Sequence, residues 1–160
     1  MANLDIIDPD GDVIIAIGKS GFRVSSKVLS LASPVFKALF GPNFAEGQCV
    51  IDNARLIELH DDGLEALGIM CRLLHHEPVP PSPNSIEVLE KMAIIVDKYN
   101  CARAMLYWAK LEIMAVRQHT EEPCRLLWPA YVFEEAMFFI NLTKFLVLHL
   151  LTLQQMDTAS

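Results

Sequence analysis

Nowhere along the 160 residues do lysines and arginines cluster, and the formal net charge is −7. Neutralising a phosphate backbone draws on clustered Lys and Arg, so binding to nucleic acid is not expected. Cysteine is sparse too: Cys49, Cys71, Cys101 and Cys124 lie far apart, and no two form a C-x-x-C pair. Disulfide scaffolds are shorter and denser in cysteine, and zinc sites use close pairs, so buried free thiols in a reducing compartment are expected. Nor is an export signal expected. MANLDIIDPDGD puts Asp5 and Asp8 where basic and then apolar residues would stand, which leads to an expectation of an intracellular protein, in cytoplasm or nucleus.

Motifs for chemistry fail one by one. Gly18-Lys19-Ser20 would need a glycine at position 13 to be a phosphate loop, and Val13 stands there. Asp8, Asp10 and Asp12 alternate like calcium ligands, but the loop glycine and the closing glutamate are both missing. His75 and His76 are adjacent, which prevents them from converging on a metal, and His60, His119 and His149 stand alone. Ser25, Ser26, Ser30 and Ser33 show no G-x-S-x-G elbow and read as helix caps. The chain is therefore expected to need no cofactor and no metal, and not to be an enzyme. The one catalytic alternative is a Ser–His pair assembled only in space. The run from Phe133 to about Gln154 is apolar, yet Glu134, Glu135, Asn141, Lys144 and His149 interrupt it, so no membrane span is expected.

What is present suits one domain. Hydrophobic residues make up 52% and charged residues 21%, and a chain this long buries roughly 70% of its extended surface. Asp8-Pro9-Asp10-Gly11 is turn chemistry, and Asp12 is placed to cap backbone donors. Val13 to Ile17 is a continuous apolar run suited to a strand covered on both faces. Gly18 to Gly21 then reads as a four-residue hairpin loop before a strand at Phe22 to Val24. Cys49 to Asp52 and Leu56 to Leu59 are two further β-like pieces.

Helices follow. Asp62 with Glu65 resembles a capping pair opening a helix that ends near His75, with Leu64, Leu67, Ile69, Met70, Leu73 and Leu74 as its apolar stripe. Pro78 to Pro83 is an extended connector. Asn84 with Glu87 is a second capping pair, opening a helix whose apolar positions are Ile86, Leu89, Ala93, Ile94 and Val96 and which Asn100 ends. Further helices are predicted over about 102–118, 124–131 and 133–154.

The organising stretch is FRVSSKVLSLASPVFKALFGPNFAE, Phe22 to Glu46. A short strand enters a helix at Ser25 or Ser26, with Val28, Leu29, Leu31 and Ala32 as its apolar stripe. Ser33-Pro34 ends that helix and starts another, the serine as N-cap and the proline at the first helical position. Val35, Phe36, Leu39 and Phe40 are the expected buried face of the second helix. Val24, Val28, Leu29, Ser33, Pro34 and Phe36 resemble the signature helix pair of BTB/POZ domains. Asp10 to Val13, Ile57 to Leu59 and the helix from Leu64 are similar to that family's neighbouring elements. The segment from Leu126 to Tyr131 resembles the helical extension of fungal-type members. Ser26 stands where many animal members carry histidine.

The resemblance implies an α+β fold, a small mixed sheet of about three strands packed on helical hairpins with additional C-terminal helices. Residues 1–118 would form the BTB/POZ domain and 119–160 the extension packed on it. It also implies a non-catalytic protein–protein interaction module, a scaffold or adaptor whose partners are other proteins, its own copies among them. Two narrower roles follow from the family. One is recruitment of transcription co-regulators. The other is a cullin-dependent ubiquitin-ligase adaptor, in which a hydrophobic-x-Glu motif follows the Ser-Pro helix; Phe44-Ala45-Glu46 stands at that place. Phe44 and Glu46, with Phe138 and Phe145 of the apolar C-terminal helix, are the expected partner-binding residues.

Overall fold

A computed structural model describes residues 3–41, 50–79 and 85–158. Among the described residues, Val13–Ile17 (β2) is the central strand of a five-stranded mixed sheet. Its side chains alternate faces: Val13 and Ile15 join the main core, and Ile14 and Ala16 on the opposite face are buried as well. The continuous apolar run thus becomes a strand covered on both sides. β2 pairs antiparallel with Ser20–Val24 (β3) and parallel with Ala54–Glu58 (β5). The expected four-residue loop is shorter than that: Ile17 pairs with Ser20, leaving Gly18-Lys19 as a two-residue turn. Gly18 takes φ +57°, which suits the first central position of a tight hairpin.

Two short edge strands complete the sheet, giving the order β1-β3-β2-β5-β4. Asn3–Ile6 (β1), which carries too few apolar residues to announce itself, runs parallel to β3, and its Asp5 pairs with Arg72. Val50–Ile51 (β4) joins β5 through Asp52-Asn53, both at positive φ as a primed hairpin turn requires. Ahead of β2, Gly11 admits no side chain: a Cβ there would sit 2.7 Å from the carbonyl oxygen of Val24.

β3 feeds helix α1 (Ser26–Ala32) and, through one corner, α2 (Pro34–Leu39). The Ser25 hydroxyl accepts the Val28 amide, and that of Ser33 accepts the Phe36 amide, while Pro34 fills the first helical position. The predicted stripes are only partly covered. Leu29 and Phe36 are fully buried, whereas Leu31 is 81% exposed and Val35 also faces solvent.

Leu64–Leu74 (α3), Ile86–Lys98 (α4) and Ala102–Arg117 (α5) build the helical layer. Neither predicted capping pair forms as expected. Gly63 is the N-cap of α3 with no side-chain bond, because Asp62 is drawn inward. Ser85 caps α4; Asn84 lies outside the described residues. Met92 and Ile95 are buried in α4, and Ile94 faces out.

A 3₁₀ turn (Pro123–Leu126) leads into α6 (Leu127–Val132) and the long α7 (Ala136–Thr158). The break between α6 and α7 falls at Glu134, whose φ is +57°. Leu126 and Phe133 are fully buried, and Phe133 meets Trp108 of α5 edge-on. The C-terminal helices therefore share the core of the rest of the chain. Among the described residues no helix is long and apolar enough to cross a membrane.

Candidate functional site

Three polar anchors hold the helical corner in place. The Asp12 carboxylate accepts both the amide of Ser26, at 2.7 Å, and its hydroxyl, at 2.6 Å. Burial alone would raise the carboxyl pKa, but these bonds outweigh it and hold Asp12 below its ordinary value. His75, at the end of α3, accepts the Ser25 amide on Nε2 at 2.9 Å. Nδ1 therefore carries the proton and donates to the Cys71 carbonyl at 2.7 Å. The imidazole is thus a brace between two elements. It meets the backbone of Ser25 and not its hydroxyl, so the two do not form a nucleophile–base pair.

The third anchor is deepest. Phe36 stacks on Tyr99 with ring centroids 4.2 Å apart and planes within 3°. Ser33 donates its hydroxyl to the Tyr99 carbonyl. The Tyr99 hydroxyl donates to Asp62 at 2.8 Å, and Lys98 reaches the other oxygen of Asp62 at 2.8 Å. Burial, then the Asp62 carboxylate, pushes the Tyr99 hydroxyl well above its ordinary pKa. Asp62 is buried, and both its oxygens are satisfied. Sequence reasoning assigned Asp62 to a cap, since nothing in the spacing ties it to Tyr99 37 positions away.

These groups are saturated with bonds inside the fold. Cys71 and Cys101 are buried and pushed by desolvation to about 12, unlike reactive thiols, whereas Cys124 is exposed. Among the described residues no group of three His, Cys, Asp or Glu is placed to hold a metal.

The surface offers more. A cleft of about 620 Å³ lies where Ile7, Leu31, Leu74, His75 and Ala104 meet. On α5, Tyr107, Leu111 and Met114 face solvent at helical spacing. A further apolar stretch is on α6 and α7. There Trp128 lies 5.9 Å from Tyr131, and Tyr131 lies 6.4 Å from Phe139. Phe139, Ile140, Thr143, Lys144, Val147 and Leu148 line an adjoining groove of about 450 Å³.

Of the expected partner-binding residues, Phe44 and Glu46 lie outside the described residues. Phe138 packs against the core with the Arg117 guanidinium over its ring, and Phe145 is 56% exposed. The two share a groove of about 300 Å³ with Arg117, Leu126 and Leu142. Periodicity could not say which side of α7 is covered, because nearly every turn is apolar. Arg125 is a further residue the sequence did not reveal. It makes a bidentate pair with Glu90 of α4, at 2.9 and 2.6 Å, and meets Glu87 and Glu122. It thereby clamps the start of the C-terminal segment to α4.

A family model described as BTB/POZ domain matches residues 10–122. None of the curated proteins compared with the chain matches it.

Proposed function

From a chain that belongs to the BTB/POZ family, and so to a class of protein-interaction modules, we propose a non-catalytic scaffold or adaptor acting inside the cell, in cytoplasm or nucleus. In this reading residues 1–118 form the family domain and 119–160 an extension that supplies the binding surface. The observation that carries it is the exposed apolar face of α6 and α7. Large apolar patches rarely stay in water unless something binds there. The saturated bonding of Asp12, Asp62 and His75 supports a structural use of the polar groups, and the free thiols of Cys71, Cys101 and Cys124 support a reducing compartment.

The test compares wild type with Ile140→Glu/Val147→Glu in affinity capture, followed by calorimetric titration of each captured protein in pure form. Partners lost by the double variant support the reading. An unchanged partner set removes the α6–α7 face from it.

The cullin-adaptor reading rests on a different observation, the Phe44-Ala45-Glu46 sequence after the Ser33-Pro34 helix pair. An aromatic anchor beside a carboxylate suits a pocket-filling contact with a fixed register. Titration with a purified cullin N-terminal region decides it: binding that Phe44→Ala and Glu46→Ala both weaken supports the adaptor role, and no binding by wild type ends it.

A further inference from the structure

Helix α5 buries Met105, Ala109, Ile113 and Val116 and turns its opposite side to solvent. On that side Tyr107 is 83% exposed, Leu111 69% and Met114 55%. Their spacing, i, i+4 and i+7, sets them in one row along the helix. One exposed leucine would need no explanation, whereas three large side chains in register form the kind of seam on which a second helix seats its anchors.

A second row runs beside the first. Arg103, Lys110 and Arg117 are exposed and stand seven positions apart within α5, about 10 Å at 1.5 Å per residue. At about 100° per residue all three fall on one flank of the apolar row, within roughly 40° of one another. None makes an ion pair among the described residues, and the Arg117 guanidinium lies over the Phe138 ring. Glu112, the single carboxylate of α5, is half-buried on the other side of the helix. In a chain of net charge −7, this helix face carries positive charge alone.

We infer that α5 is a docking surface for an acidic amphipathic helix of another protein. The partner's apolar residues cover Tyr107, Leu111 and Met114, and its Asp or Glu residues, recurring every two turns, meet Arg103, Lys110 and Arg117 in succession. Sign and spacing choose this occupant. A second α5 has no exposed carboxylate to offer and would bring only more positive charge. An anionic bilayer would be repelled by the acidic excess of the whole chain. The inference does not rest on the reading of the α6–α7 face.

Selection from a displayed library of helical peptides on the full chain tests it, with Tyr107→Glu/Leu111→Glu as the counter-selection target. Peptides kept by wild type alone are expected to carry apolar residues at i, i+4 and i+7, flanked by Asp or Glu at seven-residue intervals. In fluorescence anisotropy with a selected peptide, Lys110→Glu should weaken binding about tenfold or more. The same peptide with its central acid changed to lysine should recover affinity for Lys110→Glu. Ile140→Glu/Val147→Glu should bind like wild type, and circular dichroism and melting temperature should show every variant folded. The inference is overturned by selected peptides without an acidic excess, by binding that Lys110→Glu leaves unchanged, or by a library that yields no peptide separating wild type from the counter-selection target. Two further results also overturn it. Uptake of wild type, but not of Tyr107→Glu/Leu111→Glu, by vesicles rich in phosphatidylserine would assign the face to a membrane. Self-association of wild type that the same variant abolishes would assign it to a second copy.

Discussion

Tyr99 joins the hairpin to the helical layer: its ring takes Phe36, its carbonyl takes Ser33, and its hydroxyl holds Asp62. Tyr99→Phe keeps the stacking and removes one donor from a buried carboxylate. Leaving such a group short of a partner costs about 1–3 kcal/mol, and urea denaturation should show a loss in that range. The thiols give a second check. With Cys49→Ser as background, Cys124 should react promptly with a thiol reagent at neutral pH, while Cys71 and Cys101 react only as fast as the chain opens. Prompt reaction of all three would contradict the burial that suppresses their thiolates. At this scale the sequence spoke clearly for Ser25, Ser33 and Asp12, whose partners lie along a short turn or across one hairpin. It was silent on Asp62 and His75, whose partners are 37 and 50 positions away.

At the scale of elements, two serines do one local job with different tertiary weight. Ser33 caps α2 and also donates to Tyr99, whereas Ser85 caps α4 through the Val88 amide. Losing a cap costs about 1 kcal/mol, and losing a buried hydrogen bond costs about as much again. Ser33→Ala should therefore destabilise by about 2 kcal/mol and Ser85→Ala by about half of that. Equal urea midpoints for the two variants would refute the second role of Ser33. Element type was legible from spacing, since α1 and α2 begin where Ser25 and Ser33-Pro34 predict. The covered arc was not. Leu31, Val35 and Ile94 fit their stripes yet face water, because neighbouring elements cover a narrower sector than the apolar one.

Across the whole molecule, pH should bound stability on both sides. Cys71 and Cys101 ordinarily ionise near 9.0 and are pushed up to about 12 in the fold. The folded state then holds protons that the unfolded chain gives up, so stability is full below about pH 9 and falls as pH rises toward 12. Tyr99, also raised, acts in the same direction. Asp12 is held below its ordinary 3.8, so its contribution is present above that value and is lost as pH falls through the folded one. Urea midpoints measured from acid to alkali should form a plateau with two falling limbs. Asp12→Asn should flatten the acid limb, and Cys71→Ala the alkaline limb.

Local physics by itself determined the strand of Val13 to Ile17, the serine–proline corner and the order of helices, because periodicity, caps and turn residues act over a few positions. It also excluded a phosphate loop, while the family entered through the resemblance of six residues between Val24 and Phe36 to its signature. Tertiary structure alone decided that Asp62 and His75 are braces, that Arg125 clamps the C-terminal segment to α4, and which side of α7 faces water. Those outcomes depend on which distant elements meet, and a helix apolar on nearly every side carries no local mark of the side its neighbours will cover.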